Sequence, residues 1–432
     1  MEAIVLAVVL LCAFVVLEAL LTAYRINTKS VQNKITALLR VAELAIVLAC
    51  AALSVGELNF RHHAFLIALG LPATASALSF FRNKESRGEF CADRAYRRAA
   101  GMAALLFAAS LPAIIFPQYD PLPTNGGYSV ATSVRYFVDE GRTNPYGDEG
   151  EPRILPVEFW YPNQAEGVYP LIVFSHGSFG IRSSNETLFH ELASHGYVVC
   201  SIDHTYQCFY TRLENRGIVW MDGGYANEIR AEDAKKDKAR SLELYQKWMG
   251  VRTQDINFVI DAVISGTGND PVCGLVNPKK IGVMGHSLGG SAALGVGRLR
   301  SDIGAVVALE SPFLCDITAA QGDSFVFDES EYPVPVLNVY SDGSWDHLGE
   351  WPQYAENARL LSGGDKDAYS LHIAGAGHLS LTDLSLSSPF LTRILNGHGS
   401  SVDAEECLTT VNRVCLSFYD CFLKGIGSFD GQ

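Results

Sequence analysis

The apolar positions of this chain fall into two regimes. From residue 1 to 117 they come as long unbroken runs, and beyond that they come as short bursts separated by polar turns. Residues 1–24 hold only Glu18 and Thr22 among their later apolar positions, and further runs cover 41–58, 64–81 and 99–116. A helix of about 20 apolar residues is needed to cross a hydrocarbon core of about 30 Å, so these four runs predict four transmembrane helices. The opening run has Glu2 and no Lys or Arg before Arg25, which argues against a cleaved signal peptide. Lys and Arg gather between the first and second runs (Arg25, Lys29, Lys34, Arg40) and between the third and fourth (Arg82, Lys84, Arg87, Arg94, Arg97, Arg98). The positive-inside rule then places both loops in the cytoplasm and everything after Pro117 on the other side, giving a multi-pass membrane protein with an extracytoplasmic C-terminal region.

Beyond the proline-rich segment PQYDPLP the pattern is that of a folded domain over 118–432. YSVATSVRYFVDEGR and ILPVEFWYP alternate as antiparallel strands, and YPLIVFS is a continuous apolar run suited to a strand buried on both faces. Helix and strand then alternate, with strands at 197–203, 280–284, 305–309, 336–340 and 369–373. This order predicts a mainly parallel sheet covered by helices on both faces, an α/β architecture. Residues 205–250 break the rhythm with a charged, aromatic-rich stretch that leaves the C-terminal end of a strand. That is where open α/β sheets place their ligands, so the stretch is a candidate lid or substrate wall.

Charge separates the two regions. Residues 1–117 carry 11 Lys and Arg against 7 Asp and Glu, leaving 22 against 40 for the rest of a chain whose net charge is −14. A domain that acidic is unsuited to nucleic acid. Seven of the ten cysteines lie in it, without the paired spacing of a zinc site, and no metal or cofactor is implied. Asn185-Glu186-Thr187 matches a glycosylation sequon.

The chemistry centres on GHSLGG at 285–290. Ser287 sits between the strand KIGVM and a helix opening at Leu288, the strand-turn-helix setting that a nucleophile elbow requires. Acyl transfer also needs two donors for the developing oxyanion. The N–H of Leu288 is one, and SHGSFG at 175–180 offers the other at Ser178. The base is a late histidine: His378, following a glycine-rich turn, is preferred to His347 and His398, while His372 lies inside a strand. Glu310, Asp342 and Asp346 all follow strands, and all three are candidates for the acid.

Taken together, PLPTNGGYSVATSVRYFVDEGR, RILPVEFWYP, FSHGSFG, GHSLGG and GAGHLSLTDL resemble the plasma-type platelet-activating-factor acetylhydrolase family of α/β-hydrolases, over about residues 121 to 390. In that family the acid is an aspartate about two dozen residues after the serine, and Glu310 stands there, a departure that keeps Asp342 and Asp346 as alternatives. The membrane region is similar to that of bacterial relatives rather than secreted members. The resemblance implies an α/β-hydrolase fold and metal-independent hydrolysis of a carboxylic ester, with short or oxidised acyl chains of phospholipids as substrate. Two other readings stand beside it: a general short-chain or polyester esterase on the same fold, and an inactive membrane-anchored binding protein.

Overall fold

The computed structural model describes residues 2–29, 33–53, 60–81, 90–117, 119–164, 166–322, 324–363, 367–397 and 400–431. The chain divides into two compact units, one formed by Met1–Asp120 with Ser387–Leu391 and the other by the remainder.

The first unit contains four helices, α1 (Glu2–Thr28), α2 (Asn33–Leu53), α3 (Phe60–Phe81) and α4 (Ala92–Ile115), packed around Phe14, Leu69 and Leu106. Its polarity is inverted relative to a water-soluble bundle. Arg40 is buried between Glu18 and Glu43, with 2.8 Å to the latter, whereas Leu38 and Leu71 are 73% and 68% exposed. The four-span expectation needs correction. Among the described residues only α1 and α4 are long and apolar enough to cross a membrane, over Val9–Thr28 and Ala92–Ile115. Helix α2 carries Lys34, Arg40 and Glu43, and the apolar part of α3 is the shorter stretch His63–Leu78. With two such helices, the charge argument for a multi-pass, extracytoplasmic arrangement loses its basis, and the 82–89 part of the second basic loop lies outside the described residues.

The second unit is built on an eight-stranded sheet. Its strands are β1 (Val130–Thr143), β2 (Pro152–Pro162), β3 (Tyr169–Ser175), β4 (Val198–Ile202), β7 (Val276–His286), β8 (Ile303–Leu309), β11 (Val336–Ser341) and β12 (Ala368–Ile373). They lie in the order β1-β2-β4-β3-β7-β8-β11-β12. The two N-terminal strands are antiparallel and every pair from β4 onward is parallel. The eight strands are those that the hydrophobic pattern predicts. Two hairpins were not foreseen: β5 (Tyr210–Leu213) with β6 (Gly217–Trp220), and β9 (Ile317–Gln321) with β10 (Ser324–Phe327).

Each face of the sheet carries its own core. One joins Val173, Val283 and Val306 to helices α7 (Lys238–Ser265) and α8 (Leu288–Leu299). The other joins Phe174, Met284 and Val307 to α5 (Glu186–Ser194) and the C-terminal helix Ala404–Tyr419. Strands apolar on both sides, such as β3 with its buried run Pro170–Ser175, are the consequence of being covered twice. Within 205–250, the hairpin leads into α6 (Gly223–Ala231) and the first half of α7. Tyr225, Leu244 and Trp248 of this stretch are buried in the first core, whereas the hairpin exposes Tyr210, Ile218 and Trp220.

Candidate active site

Ser287 occupies the turn between β7 and α8 with φ +54° and ψ −126°, a conformation that side chains other than glycine rarely adopt. The turn is held by Ser287 N donating to the Leu309 carbonyl at 2.8 Å and by Ser291 N donating to the Ser287 carbonyl at 3.1 Å. Its glycines are required by contact. A Cβ at Gly285 would lie 2.3 Å from the Gly289 carbonyl carbon, and one at Gly289 would lie 2.0 Å from the Ser175 carbonyl oxygen. The G-x-S-x-G spacing is therefore the sequence imprint of a helix start pressed against a strand end.

The loop after β3 lies beside the serine. A Cβ at Gly177 would stand 3.4 Å from Ser287 Cβ, which puts the SHGSFG segment next to the nucleophile. Leu288 is the first residue of α8, so its N–H belongs to the set that a helix start leaves without an intrahelical partner.

Glu310 follows β8, is buried, and has φ +56°. Its carboxylate accepts from Ser341 N at 2.5 Å and from Ser341 Oγ at 2.7 Å, and Oε1 stands 3.9 Å from His378 Nδ1. That is an ion-pair separation, about 1 Å beyond a hydrogen bond. Unliganded active sites commonly have such loose contacts. The His378 side chain is 41% exposed, at the start of a short 3-10 turn after β12. Its position is fixed from below, where His286 Nε2 donates to the His378 carbonyl at 3.0 Å and the two rings lie 4.7 Å apart. Burial, and then the neighbouring His378, push His286 down to about 3, so it is a neutral support rather than a second base. Among the described residues no side chain hydrogen-bonds the Ser287 hydroxyl.

The competing acids point elsewhere. Asp342 accepts from His372 Nε2 at 2.7 Å and from Gly375 N at 2.9 Å, with His372 stacked on Trp345 at 4.6 Å. Asp346 is exposed, and nothing joins it to His378 among the described residues. His347 pairs with Glu350 at 3.0 Å, and His398 lies outside the described residues.

The family model described as "Platelet-activating factor acetylhydrolase, isoform II" matches residues 153–425. The chain belongs to that family. The match contains Ser178, Ser287, Leu288, Glu310 and His378 and leaves the four helices α1 to α4 outside. Platelet-activating factor acetylhydrolase of Cavia porcellus is 21% identical over 293 residues, which are 64% of this chain and 62% of that protein. The protein of the same name from Canis lupus familiaris is 22% identical with the same coverage. The chain thus spans 62% of the length of these relatives. Among solved structures, a ferulic acid esterase from Streptomyces cinnamoneus superposes with a TM-score of 0.55 at 20% identity, covering 71% of this chain and 94% of its own. That likeness concerns the fold, and it agrees with the α/β-hydrolase architecture that the sheet order describes.

For this family member, sequence reading missed a buried polar chain beneath the site. Ser175 Oγ and His204 Nε2 are 2.8 Å apart, His204 Nδ1 and Asp255 Oδ2 are 2.8 Å apart, and Arg153 Nη2 donates to Asp255 at 2.6 Å. All four side chains are fully buried. Burial and then the nearby Arg252 push His204 down to about 4. Burial alone would raise Asp255, but Arg153 and His204 hold it well below the usual carboxylate range. The only signal in the sequence was Arg252 and Asp255 on the apolar side of α7, and charges on a helix ordinarily read as solvated.

One further cluster tests whether a metal fits. Ligand atoms of His176, Asp203 and Cys208 lie within 4.8 Å of one another. Asp203 is already spent on Arg182 at 2.5 Å and Thr211 at 2.6 Å, and His176 on Gly177 and His204. Burial pushes the Cys208 thiol far up, away from the thiolate a metal takes. These residues form a packed polar knot rather than a vacant ligand set. The sequon is likewise structural: Asn185 is buried and its Nδ2 donates to the Leu381 carbonyl at 2.7 Å. Among the described residues the cysteines are all free thiols.

Proposed function

We propose that this chain is a metal-independent serine hydrolase of carboxylic esters, with Ser287 as nucleophile, His378 as general base and Glu310 as the acid that orients it. The observation that carries the reading is a serine held at φ +54° on a strand-to-helix elbow, with a buried carboxylate 3.9 Å from a histidine on the adjoining turn. Ser287 Oγ attacks the ester carbonyl carbon as its proton passes to His378 Nε2. The oxyanion is received by the N–H groups of Leu288 and Ser178, each worth about 10²- to 10³-fold in rate. Glu310 stabilises the imidazolium, which then protonates the departing alkoxide. Water, deprotonated by His378, attacks the acyl-enzyme and releases the acid with Ser287 restored. Glu310 stands where the resembled family has an aspartate, with its own backbone at φ +56°.

The substrate class we propose is phospholipid bearing a short or oxidised acyl chain, in keeping with the acetylhydrolase names of the relatives. A second reading, an esterase of small non-phospholipid esters, draws on the exposed ring cluster of Phe209, Tyr210 and Trp220, with centroids 5.7 to 6.2 Å apart. Phe209 N donates to the Gly180 carbonyl at 3.0 Å, so this hairpin extends the oxyanion loop as an aromatic wall. The test is turnover of p-nitrophenyl acetate and of phospholipids of graded acyl length by the wild type and Ser287→Ala. The first reading requires all turnover to vanish in the variant and the wild type to prefer short-chain phospholipid. A wild type that hydrolyses only non-phospholipid esters selects the second. Attachment to membranes is proposed through α1 and α4, supported by their length and by the apolar exterior of the first unit. Release of the protein from vesicles by alkaline carbonate would count against it.

A further inference from the structure

Arg252 is the charge that the proposed mechanism leaves unused. It is fully buried in α7, and no carboxylate pairs with it among the described residues, the nearby Asp255 being held by Arg153, Arg142 and His204. Burying a guanidinium without a counter-charge is costly unless its donors are well spent. They are spent largely on one loop. Nη1 donates to the His176 carbonyl oxygen and reaches Ser175 Oγ at 3.5 Å. Nη2 reaches the Gly177 carbonyl oxygen at 3.5 Å and the Tyr225 hydroxyl at 3.4 Å, while Nε donates to Gln207 at 3.0 Å. Tyr225 in turn interacts with the Ser178 side chain. His176, kept neutral by burial, meets the same Gly177 oxygen through Nδ1 at 2.7 Å, Gly180 N donates to it at 3.1 Å, and His176 Nε2 accepts from His204 N at 3.3 Å.

The Gly177 carbonyl and the Ser178 N–H are two ends of one planar peptide. In a trans peptide they point in opposite directions, so donors that pin the oxygen also aim the N–H. Donation to the oxygen draws charge through the amide and makes the N–H a stronger donor, as in any hydrogen-bonded chain at low dielectric. We infer that Arg252, assisted by Tyr225, is a positioning residue that, by its donation to the His176 carbonyl oxygen and its longer reach to the Gly177 oxygen, holds the loop in which the Gly177–Ser178 peptide aims its N–H at the oxyanion, an inference that rests on the ester-hydrolase reading above. Its influence falls on the tetrahedral intermediate, where the oxyanion carries charge, and hardly on the neutral ester. The 205–250 stretch is thereby tied to the chemistry through Tyr225 on α6.

The experiment measures kcat, KM and affinity for an alkyl trifluoromethyl ketone, whose hemiketal with Ser287 carries the oxyanion, on the full chain with active sites titrated by a fluorophosphonate. Arg252→Gln lowers kcat about 10- to 100-fold with KM within about threefold, and ketone affinity falls in parallel with kcat. Arg252→Lys, which keeps the charge, recovers part of both. Tyr225→Phe gives a smaller loss of the same kind, and together with Arg252→Lys it carries the test if Arg252→Gln does not fold by circular dichroism. Folded variants whose kcat and ketone affinity equal those of the wild type, with wild-type Ser287 labelled normally, overturn this inference alone. A wild type that the fluorophosphonate leaves unlabelled overturns the function on which it rests, and this inference with it.

Discussion

Gly289→Ala adds one methyl group where the nucleophile helix begins. The new Cβ would meet the Ser175 carbonyl oxygen at 2.0 Å, its carbon at 2.4 Å and the His176 carbonyl oxygen at 2.5 Å, all backbone atoms that no rotamer change can move aside. Restoring an ordinary contact of about 3.5 Å requires the start of α8 and the end of β3 to separate by about 1.5 Å. That separation sits between Ser287 and the loop bearing Ser178. Misplacement of about 1 Å can cost about 10²-fold in rate, so kcat/KM for p-nitrophenyl acetate is expected to fall about 100-fold. Overpacking costs about 1–3 kcal/mol, offset by up to about 1 kcal/mol from alanine's helix propensity, so the thermal midpoint falls only modestly. Gly250→Ala is the control: its Cβ meets nothing within 4 Å in α7, and it is expected to gain up to about 1 kcal/mol with activity unchanged. If Gly289→Ala retained activity within threefold of the wild type and melted at the same temperature, the close approach inferred for the elbow would be wrong.

Three more outcomes follow from the geometry. Ser287→Gly abolishes turnover and raises stability by about 1–3 kcal/mol in urea unfolding, because glycine adopts φ +54° without strain; an unchanged midpoint would speak against a strained elbow. Glu310→Gln lowers kcat by about 10³- to 10⁴-fold, whereas Asp342→Asn, which loosens the contacts with His372 and Gly375 N, stays within about tenfold; the reverse order in steady-state kinetics would transfer the acid role to Asp342. Burial pushes Asp383 up to about 7 against the opposing hydrogen bonds from Thr187 N and Oγ1. Between the ordinary value of about 4 and that raised value the native state holds a proton the unfolded chain lacks, so its contribution to stability falls as pH rises through this window, by up to about 4 kcal/mol. Asp383→Asn removes that slope, and melting curves of wild type and variant that run parallel from pH 4 to 7 would contradict it.

What could be read from the residues alone follows a physical division. The six parallel strands were legible because strands covered on both faces leave continuous apolar runs such as LIVF and IGAVVAL, β1 and β2 because they alternate, and the elbow because its glycines are forced by contact. The hairpin at 210–220 was not, since its outward Tyr210 and Trp220 and its inward Thr211 and Leu213 give too short an alternation to separate from the charged stretch after it. Choosing among Glu310, Asp342 and Asp346 needs side-chain direction: all three follow strands, and of the three Glu310 brings its carboxylate to 3.9 Å from His378 Nδ1. Arg252 was invisible for a related reason. A charged residue on a long helix looks solvated until the loop carbonyls that absorb its donors are known. The hydropathy runs of α2 and α3 misled in the opposite sense: α2 carries Arg40 and Glu43, paired with one another inside the bundle, and the apolar part of α3 is only His63–Leu78.

The central claim is that Ser287 is an activated nucleophile, and covalent labelling tests it most directly. The chain is incubated with a fluorophosphonate, and the modified peptide is mapped by mass spectrometry. The account predicts one adduct, on Ser287, formed in step with the loss of ester turnover and absent from Glu310→Gln and His378→Ala on the same timescale. An adduct on another serine, or turnover that persists after Ser287 is fully modified, would contradict it.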